Sequence, residues 1–293
     1  MTASAFPAWQ PRPEVWLLVA ALVGLGVYAA RVIQPKAVAA GEAPITGRQK
    51  AWFVVGVLVF WLAADYPMHD IAEQRLYSMH MLQHALLMVV FPPAILLATP
   101  TWLARLMIGQ GGFKRFVYFW ARPAPALLIN LGLTAFTHWA WVVNTSVENG
   151  PIHYGVHLLM VMSSFLVWMA VCGPIPELQV TPPMKMLVIF LLSIIPTLPA
   201  AFLTTAETII YQGYNHDPRL WGLSVEHDQQ LAGVIMKVIT GFYLWVLIAG
   251  IFFKWSLKER ANSVKYRGKL VPSAQAVDEM VNRPAAKDEH PVG

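Results

Sequence analysis

Seven long apolar stretches, separated by short polar ones, constrain this chain more than any other feature of its sequence. Crossing the hydrocarbon core of a bilayer takes about 20 mostly apolar residues in a helix. The stretches 15–33, 51–64, 79–98, 124–143, 154–172, 184–205 and 231–255 qualify, the second being short and bordered by Asp65. The composition agrees. Of 293 residues 57% are hydrophobic and only 13% are charged, whereas a soluble domain carries about 25% charged residues to solvate its surface. The expected fold is therefore an all-α integral membrane protein, a bundle of seven transmembrane helices. Residues 1–257 form the membrane domain, and 258–293, polar and without apolar periodicity, read as a mostly disordered tail.

The formal net charge of +5 does not call for nucleic acid. Lys and Arg concentrate in the first loop (Arg31, Lys36, Arg48, Lys50), in the third (Arg105, Lys114, Arg115, Arg122) and at the start of the tail (Lys258, Arg260, Lys265, Arg267, Lys269). The second loop has Arg75 alone and the sixth Arg219 alone. The positive-inside rule then puts the odd loops and the C-terminus in the cytoplasm and the N-terminus outside. The first residues lack the positive run of a signal peptide. The single cysteine, Cys172, excludes an internal disulfide and a Cys-rich metal site. Prolines interrupt the third span at Pro92-Pro93 and the sixth at Pro196 and Pro199. The hydroxyls of Ser193, Thr197, Thr204 and Thr205 are candidates to satisfy the carbonyls such breaks set free.

The histidines carry the functional signal. Of nine, His290 lies in the tail; His69, His80, His84, His138, His153, His157, His216 and His227 all fall on the outer side. That orientation used no histidine. His80/His84 and His153/His157 are i,i+4 pairs, so each pair shares one helical face, and two imidazoles one turn apart can chelate a metal. Continuing each face inward gives Met88, and then Met160 and Ser164. Imidazole with thioether suits Cu(I), and imidazole with carboxylate suits zinc or iron. Asp65, Glu226 and Asp228 are carboxylates able to ligate or to orient a histidine. Bland readings stand beside these. His69 and His216 read as helix-end anchors, and Met79, Met81 and Met88, taken alone, as core filling. Lys237 either snorkels outward or pairs with Asp228.

At these residues the chain resembles a known family. The run Tyr77-Ser-Met-His-Met-Leu-Gln-His84, leading into Pro92-Pro93 and Pro100, is similar to that of the polytopic CtaG-type cytochrome c oxidase assembly factors. So are His138-Trp139, the His153/His157 pair and Asp228-Gln-Gln-Leu-Ala-Gly233. The resemblance covers roughly residues 50 to 255. It implies a bacterial cytoplasmic-membrane protein that is not an enzyme and that helps mature a haem–copper oxidase by supplying copper, Cu(I) in preference. It also implies partners among the oxidase subunits, with another copper donor and a homodimer left open. Carried over, the metal candidates are His80, His84, His153 and His157, supported by Asp65, His138 and Asp228, with Met88 and Met160. Two features depart from copper-delivery proteins in general: there is no Cys-x-x-x-Cys pair and no appended soluble copper domain.

The residues alone leave two other readings open. One is a membrane-embedded zinc hydrolase acting on lipid, with Asp65, His80, His153, His157 and Ser164 around an activated water. The other is a haem-b subunit with His84 and His157 as axial ligands. A transporter is disfavoured, because the cytoplasmic half lacks ionisable residues to continue a pathway.

Overall fold

The structure is a computed structural model and describes residues 6–194, 196–215, 219–270 and isolated positions beyond. His216 and His290, and most of the expected tail, lie outside the described residues. The chain divides into two compact units, Met1–Ile248 and Ala249–Gly293. It is 82% helical, with no strand among the described residues. Lipid offers the backbone no hydrogen-bond partners, so an apolar chain of this kind satisfies its own amides by helix formation.

The helices in order are α1 (Pro13–Ala39), α2 (Gly47–Ala64), α3 (Met68–Gln74), α4 (Tyr77–Ala98), α5 (Thr101–Ile108), α6 (Gly112–Trp120), α7 (Pro123–Thr137), α8 (Ala140–Glu148), α9 (Gly150–Cys172), α10 (Pro182–Ile194), α11 (Thr197–Thr205) and α12 (Val225–Ser263, helical on to Leu270). Among the described residues six paths are long and apolar enough to cross a membrane: α1, α2 with α3, α4, α9, α10 with α11, and α12. The fourth expected span differs. Residues 124–143 do not form one rod but the pair α7 and α8, bent by 76°. Proline is not the cause. The helix closes at His138, and Trp139 is extended (φ −69°, ψ 131°). At about 1.5 Å per residue the 15 residues of α7 reach only about 22 Å.

Local chemistry explains the other irregularities. Thr46 and Gln49 form a capping box that starts α2. Pro92 removes the amide that would bond the carbonyl of Met88, and the indole Nε1 of Trp168 donates to that carbonyl at 3.0 Å instead. A π turn, Leu86–Val90, sits at the same place. At the α10–α11 break the hydroxyls bond carbonyls three or four residues back, none of them that of Leu192, which Pro196 sets free. Ser193 donates to Phe190 O, Thr197 to Ser193 O, Thr204 to Ala200 O and Thr205 to Ala201 O. Lys237 does not meet Asp228; its Nζ donates to Thr197 Oγ1 at 2.7 Å.

The Asp228-to-Gly233 run locks α12 to its neighbours. Gln229, fully buried, accepts from the amides of Ile210 and Tyr211 at 2.9 and 2.8 Å. Gln230 donates to Ala206 O. Gly233 lies so close to Ala200 and Thr204 of α11 that any Cβ would collide with them, the small-residue contact that lets membrane helices approach.

Candidate metal centre

The centre begins with how α4 starts. Its N-cap position, Leu76, has no side-chain acceptor. The first free amides turn instead to Asp228 of α12, whose carboxylate accepts from Tyr77 N at 2.8 Å and Ser78 N at 3.0 Å. An anion at a helix N-terminus is favoured by both the free N–H groups and the dipole. Arg219 Nη2 completes the fully buried Asp228 at 3.0 Å. Tyr77 packs between Tyr211 and Tyr214, with ring centroids 4.7 and 4.9 Å away. These contacts fix the register that aims His80 and His84, one turn apart, at α9.

On α9, His153 and His157 form the facing pair. Ring centroids are 4.4 Å apart within each pair and 5.3, 5.2 and 4.5 Å across, for His80–His153, His80–His157 and His84–His157. His84 and His157 bring their Nε2 atoms within 3.2 Å, one ring donating to the other. Ser146 of α8 holds Nδ1 of His153 at 3.0 Å, an outer contact of the kind that orients a ligating ring.

A fourth kind of donor comes from α3. Glu73 places Oε1 2.7 Å from Nε2 of His153 and 3.6 Å from Nδ1 of His80. One donor atom from each of Glu73, His80, His153 and His157 lies within 4.8 Å of all the others. Yet Glu73 Oε1, His80 Nδ1 and His153 Nε2, all buried, meet without an aligned hydrogen bond. At 2.7 Å Glu73 and His153 are in contact, and a cation placed among the three atoms would be held by all of them. Three imidazoles and a carboxylate are a ligand set that small transition-metal ions accept. The donors therefore fit a metal.

A profile of the cytochrome c oxidase caa3 assembly factor family (Caa3_CtaG) matches residues 26–258. The chain belongs to that family. No curated protein and no solved structure matches it.

The sequence-derived candidates separate into three groups. His80, His84, His153 and His157 come together as a cluster. Met88, Met160 and His138 line a cavity of ≈ 90 Å³ with His84, deeper in the bundle. Asp65 and Asp228 lie apart from both. Asp65 accepts from Trp16 Nε1, Trp61 Nε1 and Tyr66 N at 3.0, 2.7 and 2.8 Å, and Asp228 is occupied as the cap of α4. Ser164 accepts from Asn130 and donates to Met160 O. His69 is buried, with Gln83 Nε2 2.9 Å from its Nδ1, and the same Gln83 amide donates to Ala63 O. Ser224 caps α12, its hydroxyl accepting from the amide of His227 and lying 2.9 Å from the His227 Nδ1.

Glu73 is the residue that sequence reasoning passed over. Its signal was present: His69 and Glu73 are spaced i,i+4 on a short helix. It was lost because that segment reads as a loop after Asp65 rather than as a helix.

Proposed function

We propose that this chain takes up copper at the Glu73–His80–His153–His157 cluster, on the outer side of the bacterial cytoplasmic membrane, and passes it to a haem–copper oxidase under assembly. The family supplies the assembly role. The observation that supports a metal role is the convergence of four donor atoms within 4.8 Å, three of them buried and without an aligned hydrogen bond. The side of the membrane follows from the Lys and Arg bias of the odd loops. No chemistry is required of the copper here; it is cargo, and the chain's residues bind, orient and release it. Oxidase subunits are the recipients in this reading.

One observation favours a second reading. Carboxylate among imidazoles suits zinc, and a zinc ion there would make the chain a candidate lipid hydrolase. The haem reading fares worse. The Nε2 atoms of His84 and His157 are 3.2 Å apart, which leaves no room for a macrocycle between them.

The test is metal content. The chain is purified in detergent under reducing conditions, beside Glu73→Gln and His80→Ala/His84→Ala, and bound copper, zinc and iron are measured before and after Cu(I) loading. Copper in the parent chain, reduced in both variants, supports the carrier. Tightly held zinc with cleavage of an amide or ester lipid moves the assignment to the hydrolase. No metal in any of the three, even after loading, overturns the metal reading altogether.

A further inference from the structure

We propose that the ≈ 90 Å³ cavity below the cluster is a second, softer Cu(I) subsite, which receives the ion from the Glu73–His cluster. This rests on the copper reading above and adds the ion's next position.

The cavity and a smaller space of ≈ 30 Å³ beside the cluster share the walls Met81, His84 and His138. The smaller space reaches His80, His153 and His157, so imidazoles border the way from the cluster inward. His138 makes the strongest case. Its Nδ1 lies 2.7 Å from Thr134 O, a carbonyl that can only accept, so that nitrogen carries the proton and Nε2 keeps a lone pair. That Nε2 is buried and has no partner. Tyr211 holds the same residue from the other side, its hydroxyl donating to His138 O at 2.8 Å. Burial pushes that hydroxyl up to about 12, so it remains a neutral donor.

Sulfur comes from three helices. Met88 of α4 and Met236 of α12 both lie in π turns, Leu86–Val90 and Ile235–Ile239, and Met160 of α9 is buried beside them. π turns widen a helix and are frequent at functional sites. Two of them here offer a methionine to one cavity.

The chemistry selects the ion. Thioether and imidazole suit Cu(I). No carboxylate is among the cavity's described lining residues, so the site is neutral. Burying charge in a low-dielectric interior is costly, and the cost rises with the square of the charge, which favours a monovalent ion over Cu(II) or Zn²⁺. Transfer is ligand exchange: copper–nitrogen bonds to the cluster imidazoles and the copper–oxygen bond to Glu73 break as bonds to His84, His138 and the thioethers form. The oxidation state is unchanged, and no proton or electron moves.

X-ray absorption on the full chain in detergent, loaded with Cu(I), tests this. A Cys172→Ala background removes thiol sulfur. Apolar Met88→Leu/Met160→Leu/Met236→Leu keeps the cavity filled, and Glu73→Gln/His153→Asn disables the cluster. The expected result is about two copper ions per chain with sulfur scattering, falling to about one ion with nitrogen and oxygen scattering alone in the methionine variant. The cluster variant should lose the sulfur-free ion and keep sulfur scattering at high Cu(I). Scattering free of sulfur in the parent, with copper content unchanged in the methionine variant, would overturn the inner subsite and leave the cluster reading standing. Copper absent from every chain would overturn both. A methionine variant that aggregates is replaced by Met88→Leu alone, for which a sulfur signal lower by about a third is expected and an unchanged one overturns the proposal.

Discussion

Asp228→Ala should destabilise the bundle more than any change to a metal donor. The carboxylate is fully buried, accepts from two α4 amides and pairs with Arg219, whose side chain is 11% exposed. Removing one member of a buried ion pair costs about 3–5 kcal/mol, because the other charge stays behind uncompensated. The two orphaned amides sit in the same network, so their cost overlaps with this figure rather than adding in full. At roughly 2–4 °C per kcal/mol for domains of about 150–250 residues, the shift is on the order of 10 °C. Asp228→Asn keeps one carbonyl oxygen as acceptor and should lose about half as much. Tryptophan fluorescence during a thermal ramp in detergent, at one fixed scan rate, reads the difference. His80 lies one turn from the cap, so metal affinity should fall in Asp228→Ala while Glu73→Gln leaves the melting profile close to the parent. If Asp228→Ala unfolds within about 2 °C of the parent, which is less than 1 kcal/mol on that scale, the carboxylate does not hold α4 and the account of how the cluster is positioned fails.

Three further outcomes follow from the same geometry. Ser146→Ala removes the contact that orients His153 and should weaken metal binding by about 10-fold at unchanged stoichiometry; competition against a chelator measures it. Imidazole binds a metal only as the free base, with an ordinary pKa of about 6.5, so affinity should fall as pH drops from 7.5 to 5. An acid-side slope steeper than about tenfold per pH unit marks more than one imidazole as ligand, and a flat profile refutes imidazole ligation. Arg12→Met strips the partner from buried Asp70 of α3, 2.7 Å away, and should speed metal loss by about 10-fold or more as α3 loosens; stopped-flow transfer to a chelator reads the rate, and Arg12→Gln/Asp70→Asn should restore it.

How much was legible in the sequence depended on the kind of signal. The spans could be read because hydrocarbon thickness sets a length and an apolar composition. The bend between α7 and α8 could not, since His138-Trp139 carries no proline or glycine and the turn depends on tertiary contacts. The four clustered histidines were legible because i,i+4 spacing fixes a face regardless of the rest of the fold. Glu73 was not, because its distance from His153 depends on how α3 folds back after Asp65. Asp228 was legible as a carboxylate able to ligate or to orient a histidine, but not as the cap of α4. A carboxylate near histidines suggests a ligand, but the unpaired amides of α4 claim it, and they appear only once α12 is placed against α4.

Placement of the donors bears on release, which a carrier needs as much as binding. The imidazoles stand on α4 and α9, long helices fixed by the Asp228 cap and the Trp168 contact. The carboxylate stands on α3, a helix of seven residues set between the break at Asp65 and the turn at Arg75. Moving α3 alone would withdraw Glu73 and leave an open three-imidazole site, the kind that exchanges ligands rather than the closed cage that keeps its ion. For a chain whose proposed cargo must leave, a rigid imidazole frame closed by one carboxylate on a short, separately tethered helix fits the task better than four donors on long helices.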